Sequence, residues 1–275
     1  RRRRETVGDI DVLCQADDLT VQKYHELESR FSEIHWTPVS QLLDESVASK
    51  TSDEINRIRR AQKITDRVFT DLLTLIRPGV TEREIGAEIV YRHIKYGADR
   101  VSFDPIVAAG LNGAKPHARP TDQSIKRGQF VTIDMGCYVD GYASDMTRTV
   151  AVGEPGDEAR DAYTAVLGAQ EAALEAARAG MSSKALDAVA RDYLSDTGYG
   201  EFFTHGLGHG VGLNIHEWPR LSYHTDDPLP EGAVVTIEPG VYIPDRFGLR
   251  IEDMVVLRED GCENLTASTK ELLIL

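Results

Sequence analysis

From residue 51 onward, hydrophobic positions recur every three or four residues. Ile55, Ile58, Ala61, Ile64, Val68, Leu72 and Ile76 fall on one face of an amphipathic helix. Thr51 and Glu54 stand ahead of it at the spacing of a capping box, and Pro78-Gly79 stops it. A second box, Thr81 with Glu84, opens a helix carrying Ile85, Ile89, Val90 and Ile94 that ends near Gly97. Between residues 99 and 151 the period shortens to β-type runs, notably Phe130-Val131-Thr132-Ile133, with Gly and Asp-Gly between them. The order then recurs: an Ala-rich helix from Asp157 to Ala179, a stop at Gly180, a shorter helix from Ser183 to Ser195, and strands again. Gly79-Val80-Thr81 aligns with Gly180-Met181-Ser182 at an offset of 101, and Val131 to Gly136 with Val235 to Gly240 at an offset of 104. This pattern predicts a duplicated chain with an α/β (α+β) fold: two pseudo-symmetric helix-helix-strand halves and a site shared between them. Residues 1–50 show no sustained period and no core of their own, and read as an appendage.

Composition narrows the class. A chain of 275 residues with 41% hydrophobic and 28% charged positions predicts an ordinary soluble globular protein. No apolar run approaches the roughly 18 to 20 residues that a membrane span needs. Lys+Arg 31 against Asp+Glu 45 gives a formal net charge of −14, which disfavours nucleic acid as a partner and suits a cation binder. The run Arg1 to Arg4 reads as a solvated tail or fragment start, and no signal peptide follows it. Cys14, Cys137 and Cys262 lack CxxC spacing, which argues against a disulfide framework or a thiolate zinc site and for the reducing cytoplasm.

The acidic residues carry the chemistry. Asp140-Gly141 is a two-residue hairpin signal, so positions whose numbers sum to 281 should face each other across it. Asp134 then faces Thr147, and Asp145 lies diagonal to Asp134 on the same sheet face, about 7 Å away between Cβ atoms. In the second half Glu238 and Glu252 are symmetric about residue 245, within the turn Pro244 to Gly248, and share a face in the same way. Four carboxylates among apolar strands are costly unless cations compensate or protons are taken up, and two divalent cations balance them. The plain alternative is that they point to solvent.

The segment His205-Gly206-Leu207-Gly208-His209-Gly210-Val211-Gly212-Leu213-Asn214-Ile215-His216-Glu217 is the densest signal. Its alternate glycines predict extended backbone approached closely by a ligand, and its three imidazoles offer metal ligation and proton transfer. His117 precedes Asp134 by a loop and a strand. Oxygen donors with an imidazole select Mn²⁺, Co²⁺ or Zn²⁺, and a pair of such ions would hold a bridging hydroxide and polarise a carbonyl, the chemistry of amide hydrolysis.

These residues resemble the pita-bread metallopeptidases, the group of methionine aminopeptidase, aminopeptidase P and prolidase, over residues 50 to 275. DMGCYVDGYASDMTRT, HGLGHGVGLNIHE, TIEPG and RIED supply Asp134, Asp145, His209, Glu238 and Glu252, which match the family's five metal ligands. SDMTRT, GHGVGLNIHE and GLRIED are most similar to the Xaa-Pro-cleaving branch of prolidase and aminopeptidase P. The resemblance implies a pita-bread fold in which both halves surround a curved antiparallel sheet. Residues 1–50 would be a remnant or linker of an N-terminal domain and residues 51–275 the catalytic domain. It implies two divalent metal ions per chain, Mn²⁺ first and Co²⁺ or Zn²⁺ as alternatives, with Asp134 on one, His209 and Glu238 on the other, and Asp145 and Glu252 bridging. Glu238 would double as general base, and His117 and His216 would stabilise the carbonyl and oxyanion. His205 and Arg250 would stand behind the ligands, moving protons and orienting carboxylates, with a surface strand position as the alternative for Arg250. The expected activity is hydrolysis of the Xaa-Pro bond in short proline-containing peptides by a cytoplasmic homodimer. Methionine aminopeptidase and an inactive peptide-binding module are the alternatives.

Overall fold

The helices begin where their caps are written. Thr51 and Thr81 each accept from the backbone of Glu54 and Glu84, whose side chains return to the cap backbone. The computed structural model describes residues 10–40 and 42–275, so Arg1 to Arg4, read above as a tail, lie outside the described residues. The chain divides into two compact units, residues 1–47 and 48–275. In the first, β1 (Ile10–Gln15) and β2 (Ile34–Val39) pair in parallel around α1 (Val21–Arg30), and α2 (Asp44–Ala48) follows. None of the residues of α1 is buried, as expected of a segment without a sustained apolar face.

The second unit opens with α3 (Ser52–Leu72) and α4 (Glu82–Lys95), then β3 (Arg100–Val101), β4 (Ile106–Ala109), β5 (Gln129–Met135), β6 (Cys137–Val139), β7 (Tyr142–Ala143) and β8 (Met146–Val152). It continues with α5 (Asp157–Ala176), α6 (Ser183–Asp196), β9 (Gly208–Gly210), β10 (Glu217–Leu221), β11 (Val234–Ile237), β12 (Gly240–Ile243), β13 (Phe247–Arg250), β14 (Asp253–Arg258) and β15 (Gly261–Asn264). The first and third expected helices end early, at Leu72 and Ala176, yet Ile76 stays buried. Val90 and Ile94, expected on the apolar face of α4, are exposed; the core takes Ile85 and Ile89 instead.

The duplication extends to single hydrogen bonds. Gly79 N–H donates to Ile125 O at 2.9 Å and Gly180 N–H to Leu229 O at 2.8 Å. Thr81 bridges Ser124 as Ser182 bridges Pro228. Both glycines have positive φ, 95° and 78°, which their lack of a Cβ makes inexpensive. Each half packs its own core. Val68, Leu72, Ile85 and Ile89 cover Val107, Val131, Ile133 and Val150, while Ala162, Val166, Leu186 and Ala190 cover Val235, Ile237, Val241 and Val255. Burying one such aliphatic side chain is worth about 1.5–3 kcal/mol.

All strands of this unit pair antiparallel, in the orders β10-β9-β11-β14-β15, β4-β5-β8, β3-β6-β7 and β12-β13. Asp140 and Gly141 have φ of 49° and 81°, as a type I′ turn requires, and pairs summing to 281 run from Val139↔Tyr142 to Asp134↔Thr147. Pairs summing to 490 run from Ile243↔Phe247 through Gly240↔Arg250 to Ile237↔Asp253, which sets Glu238 opposite Glu252. The expected single sheet is interrupted at residues 144–145, 238–239 and 251–252, where the ladders stop. Asp145, Glu238 and Glu252 sit at these breaks. The halves are joined there: Glu252 N–H donates to Thr147 O at 3.1 Å and Thr149 Oγ1 to Arg250 O at 3.0 Å. The fully buried guanidinium of Arg148 donates to Thr147 O, Glu252 O, Ser268 O, Thr269 O and Asp253.

Candidate metal centre

β5 delivers Asp134 and the ladder break after β7 delivers Asp145, both from the first half; β9 delivers His209, and the breaks flanking β12 and β13 deliver Glu238 and Glu252. The solvent-facing alternative fails: Asp134, Asp145 and Glu252 are buried. Asp145, His209 and Glu252 each place a donor atom within 4.8 Å of the other two. His209 Nε2 lies 3.5 Å from Asp145 Oδ2 and 3.4 Å from Glu238 Oε1.

The electrostatics of the group are unbalanced. Burial, reinforced by Glu252, Asp134 and Glu238, holds the Asp145 carboxyl well above the usual range. Burial does the same to Glu252, helped by Glu238 and Asp134, although Thr147 Oγ1 donates to it at 2.6 Å. Burial pushes Glu238 up to about 7 against the pull of Arg250, and Thr236 Oγ1 donates to it at 3.1 Å. His209 Nδ1 meets Gly210 O at 3.0 Å, and a carbonyl only accepts, so the proton sits on Nδ1. Burial lowers its pKa, leaving a neutral ring whose bare Nε2 faces carboxylate oxygens, lone pair against lone pair. Asp134 Oδ1 is buried and receives no hydrogen bond. A bare imidazole nitrogen, an orphaned carboxylate oxygen and crowded acids fit hard or borderline divalent cations.

Arg250, weighed above as a surface position, is buried and central. It donates to Asp134 Oδ2 at 2.6 Å, Thr147 Oγ1 at 3.1 Å, Tyr242 Oη at 2.7 Å and Pro116 O at 3.3 Å. His205 Nδ1 donates to Gly206 O at 2.8 Å, so its Nε2 accepts from Tyr242 Oη at 3.0 Å; burial lowers its pKa to about 3. His216 stands edge-on to His209 with ring centroids 4.2 Å apart, and burial lowers its pKa to about 4. His117 is exposed in the turn after a 3-10 segment at Gly110–Ala114, near enough for its charge to act on Glu238, His205 and His216. The alternating glycines were expected to admit a ligand. A Cβ at Gly206, Gly208 or Gly210 would instead strike the backbone of Leu221, Thr236 or Trp218, so these glycines let neighbouring strands approach.

The profile of metallopeptidase family M24 matches residues 56–259. The chain belongs to that family. The M24 chain is 46% identical over 224 residues to the Xaa-Pro dipeptidase of Pyrococcus furiosus, covering 82% of itself and 64% of that protein. It thus spans less than two thirds of that relative's length. Among solved structures, the Xaa-Pro dipeptidase from Bacillus anthracis superimposes with a TM-score of 0.94 at 42% identity, over 97% of this chain and 75% of that one. The X-Pro aminopeptidase from Thermotoga maritima gives 0.92 at 40% identity, over 97% and 76%. The M24 fold is therefore the architecture of this chain, two halves of helices and antiparallel strands.

Two features of the M24 site escaped the sequence reading. Tyr242 shares the strand parity of Glu238 and Gly240, so period-two alternation could have placed it on the site face. The buried ion pair of Lys50 with Glu217 joins residues 167 positions apart, and no local signal announces it.

Proposed function

We propose that this chain is a metal-dependent exopeptidase that hydrolyses the Xaa-Pro bond of dipeptides or short peptides. One observation carries the reading: Asp145, Glu238 and Glu252 converge on a neutral His209, and Arg250, which pairs with Asp134 and Glu238, is the one cation ion-paired with these carboxylates among the described residues. Two divalent ions would more than offset the remaining charge of −3. Asp134 would hold one, His209 and Glu238 the other, and Asp145 and Glu252 both. When bound, such a pair supplies a water-derived nucleophile at neutral pH and polarises the scissile carbonyl.

The rest is done by the chain. Glu238 takes a proton from the attacking water and passes it to the leaving nitrogen. His117 and His216 donate to the carbonyl oxygen as it becomes anionic. Arg250 fixes Asp134, and Tyr242 with His205 fixes Arg250. An Xaa-Pro bond lacks the N–H that general peptidases grip and has a restricted φ, so a site built on oxygen recognition suits it. The names of the Pyrococcus and Bacillus relatives support the dipeptidase reading, and that of the Thermotoga protein supports longer peptides as substrates.

The same proposal takes Mn²⁺ as the ion, with Co²⁺ or Zn²⁺ as alternatives, and a homodimer in the cytoplasm. Three free cysteines support the location. It assigns residues 1–50 to a remnant or linker of an N-terminal domain and residues 51–275 to catalysis. The test is mass spectrometry of Ala-Pro, Ala-Pro-Ala and Met-Ala-Ser after incubation with Mn²⁺-loaded protein and with a chelated control. Cleavage of Ala-Pro alone means a dipeptidase, and of Ala-Pro-Ala an aminopeptidase. Cleavage of Met-Ala-Ser alone means a methionine aminopeptidase. No cleavage with two metal equivalents bound defeats the reading. Light scattering decides the dimer.

A further inference from the structure

Glu82 opens α4 and is completely buried. Four donors converge on it: Ala109 N–H on Oε1 at 2.7 Å, and Asn112 Nδ2 at 2.9 Å, Thr121 N–H at 2.8 Å and Thr121 Oγ1 at 2.6 Å on Oε2. Ala109 ends β4 and Thr121 closes the loop that follows, so one carboxylate clasps both ends of the segment carrying His117. Asn112 also donates across that segment to Arg119 O at 3.1 Å. On the side of the site, Pro116 O receives Arg250 Nη1 at 3.3 Å. Burying a carboxylate costs several kcal/mol unless its oxygens are met, and here every contact is a donor, an arrangement that a neutral amide cannot accept.

The other half contains a comparable device. Asp187 on α6 is completely buried, accepts Leu207 N–H at 2.9 Å and pairs with Arg191, which donates to Phe203 O at 3.0 Å and His205 O at 2.7 Å. Under the offset of 101, Glu82 corresponds to Ser183 and Asp187 to Gly86, so the two clasps are not copies of one ancestral residue. Each half has its own buried carboxylate, on its second helix, fixing a loop that bears an imidazole beside the site.

We propose that Glu82 is a positioning residue for His117, setting the loop so that the imidazole faces the substrate carbonyl; the inference rests on the role given to His117 above. The test is a double-mutant cycle in the full metal-loaded chain with Glu82→Gln, His117→Ala and both. It reads kcat and KM on Ala-Pro, metal per chain, and hydrogen exchange of residues 109–121. His117→Ala is expected to lower kcat/KM about 100-fold, the order of one oxyanion donor. Glu82→Gln should lower it about 10-fold, with metal content unchanged and faster exchange confined to residues 109–121. The double variant should be no worse than His117→Ala within about twofold, the signature of one residue acting through another. Should Glu82→Gln fail to fold, Thr121→Val removes one donor from the same oxygen and takes its place in the cycle. Losses that multiply, or exchange that does not change, overturn the clasp. A fully active His117→Ala removes the role of His117 itself, which distinguishes that failure from the first.

Discussion

The two halves of the second unit share a backbone plan but divide the site's side chains unequally. The first hairpin turns through Asp140-Gly141 and presents two short acids, Asp134 and Asp145, with Asp145 two positions from direct opposition. The second turns about Asp245 and presents two longer acids, Glu238 and Glu252, directly opposed. Every imidazole of the site except His117 comes from the second half, as do Arg250 and Tyr242. Duplication supplied two matched platforms. The second of them carries three of the four imidazoles and the one arginine of the site, while the first carries Asp134, Asp145 and His117.

Several substitutions would break or sharpen this contrast. The largest effect is expected at the two carboxylates that span it: Asp145→Ala and Glu252→Ala should each lower kcat/KM about a thousandfold and remove both metal equivalents, read by elemental analysis. Loss of one equivalent only would deny that these residues serve both ions. Next, the equivalent positions Glu238→Gln and Asp134→Asn should differ, the first lowering kcat about a thousandfold through loss of the base and the second roughly tenfold less. Equal losses would mean chemically equivalent halves.

A smaller effect concerns pH. Without metal, folded Glu238 keeps its proton up to about 7, above its ordinary value of 4.5, so the folded state binds more protons than the unfolded one in that window. The chelated protein should therefore lose stability as pH rises from below 4.5 through 7, about 3 kcal/mol of it from Glu238 alone, seen as a falling Tm that metal loading abolishes. A Tm that does not fall across that range would mean the acids are not crowded. The smallest effect belongs to the turns. Gly141→Ala, at a φ of 81°, should cost about 1 kcal/mol in denaturant unfolding, whereas Asp245→Gly, at 58°, should gain about half of that.

How much of this was legible follows from the range of each signal. Helix starts were readable because caps are local: Thr51 and Thr81 both cap as written. The facing of Asp134 with Thr147 and of Glu238 with Glu252 followed from turn arithmetic, since a two-residue or symmetric loop fixes register for the whole hairpin. Arg250 stayed ambiguous because a charged strand residue reads as exposed until its partners, Asp134 and Tyr242, are brought to it from elsewhere. Glu82 and Asp187 were invisible for a related reason. A buried carboxylate on a helix looks in sequence like any acidic residue of a solvated face, and only the backbone donors at the far side of the loop reveal its purpose.

The arginine that fastens the halves together has a consequence for biosynthesis. Arg148 lies in the first hairpin, yet two of the carbonyls it needs, Ser268 and Thr269, are made 120 and 121 residues later. While the second half is still being translated, the first can close its turn and cover its own core, but its last strand carries a guanidinium with nowhere to be buried. Order in time therefore runs opposite to order in the chain: the earlier half waits on the later, and the guanidinium is sealed only when Asp253 has arrived to neutralise it and the distant carbonyls to accept its remaining hydrogens.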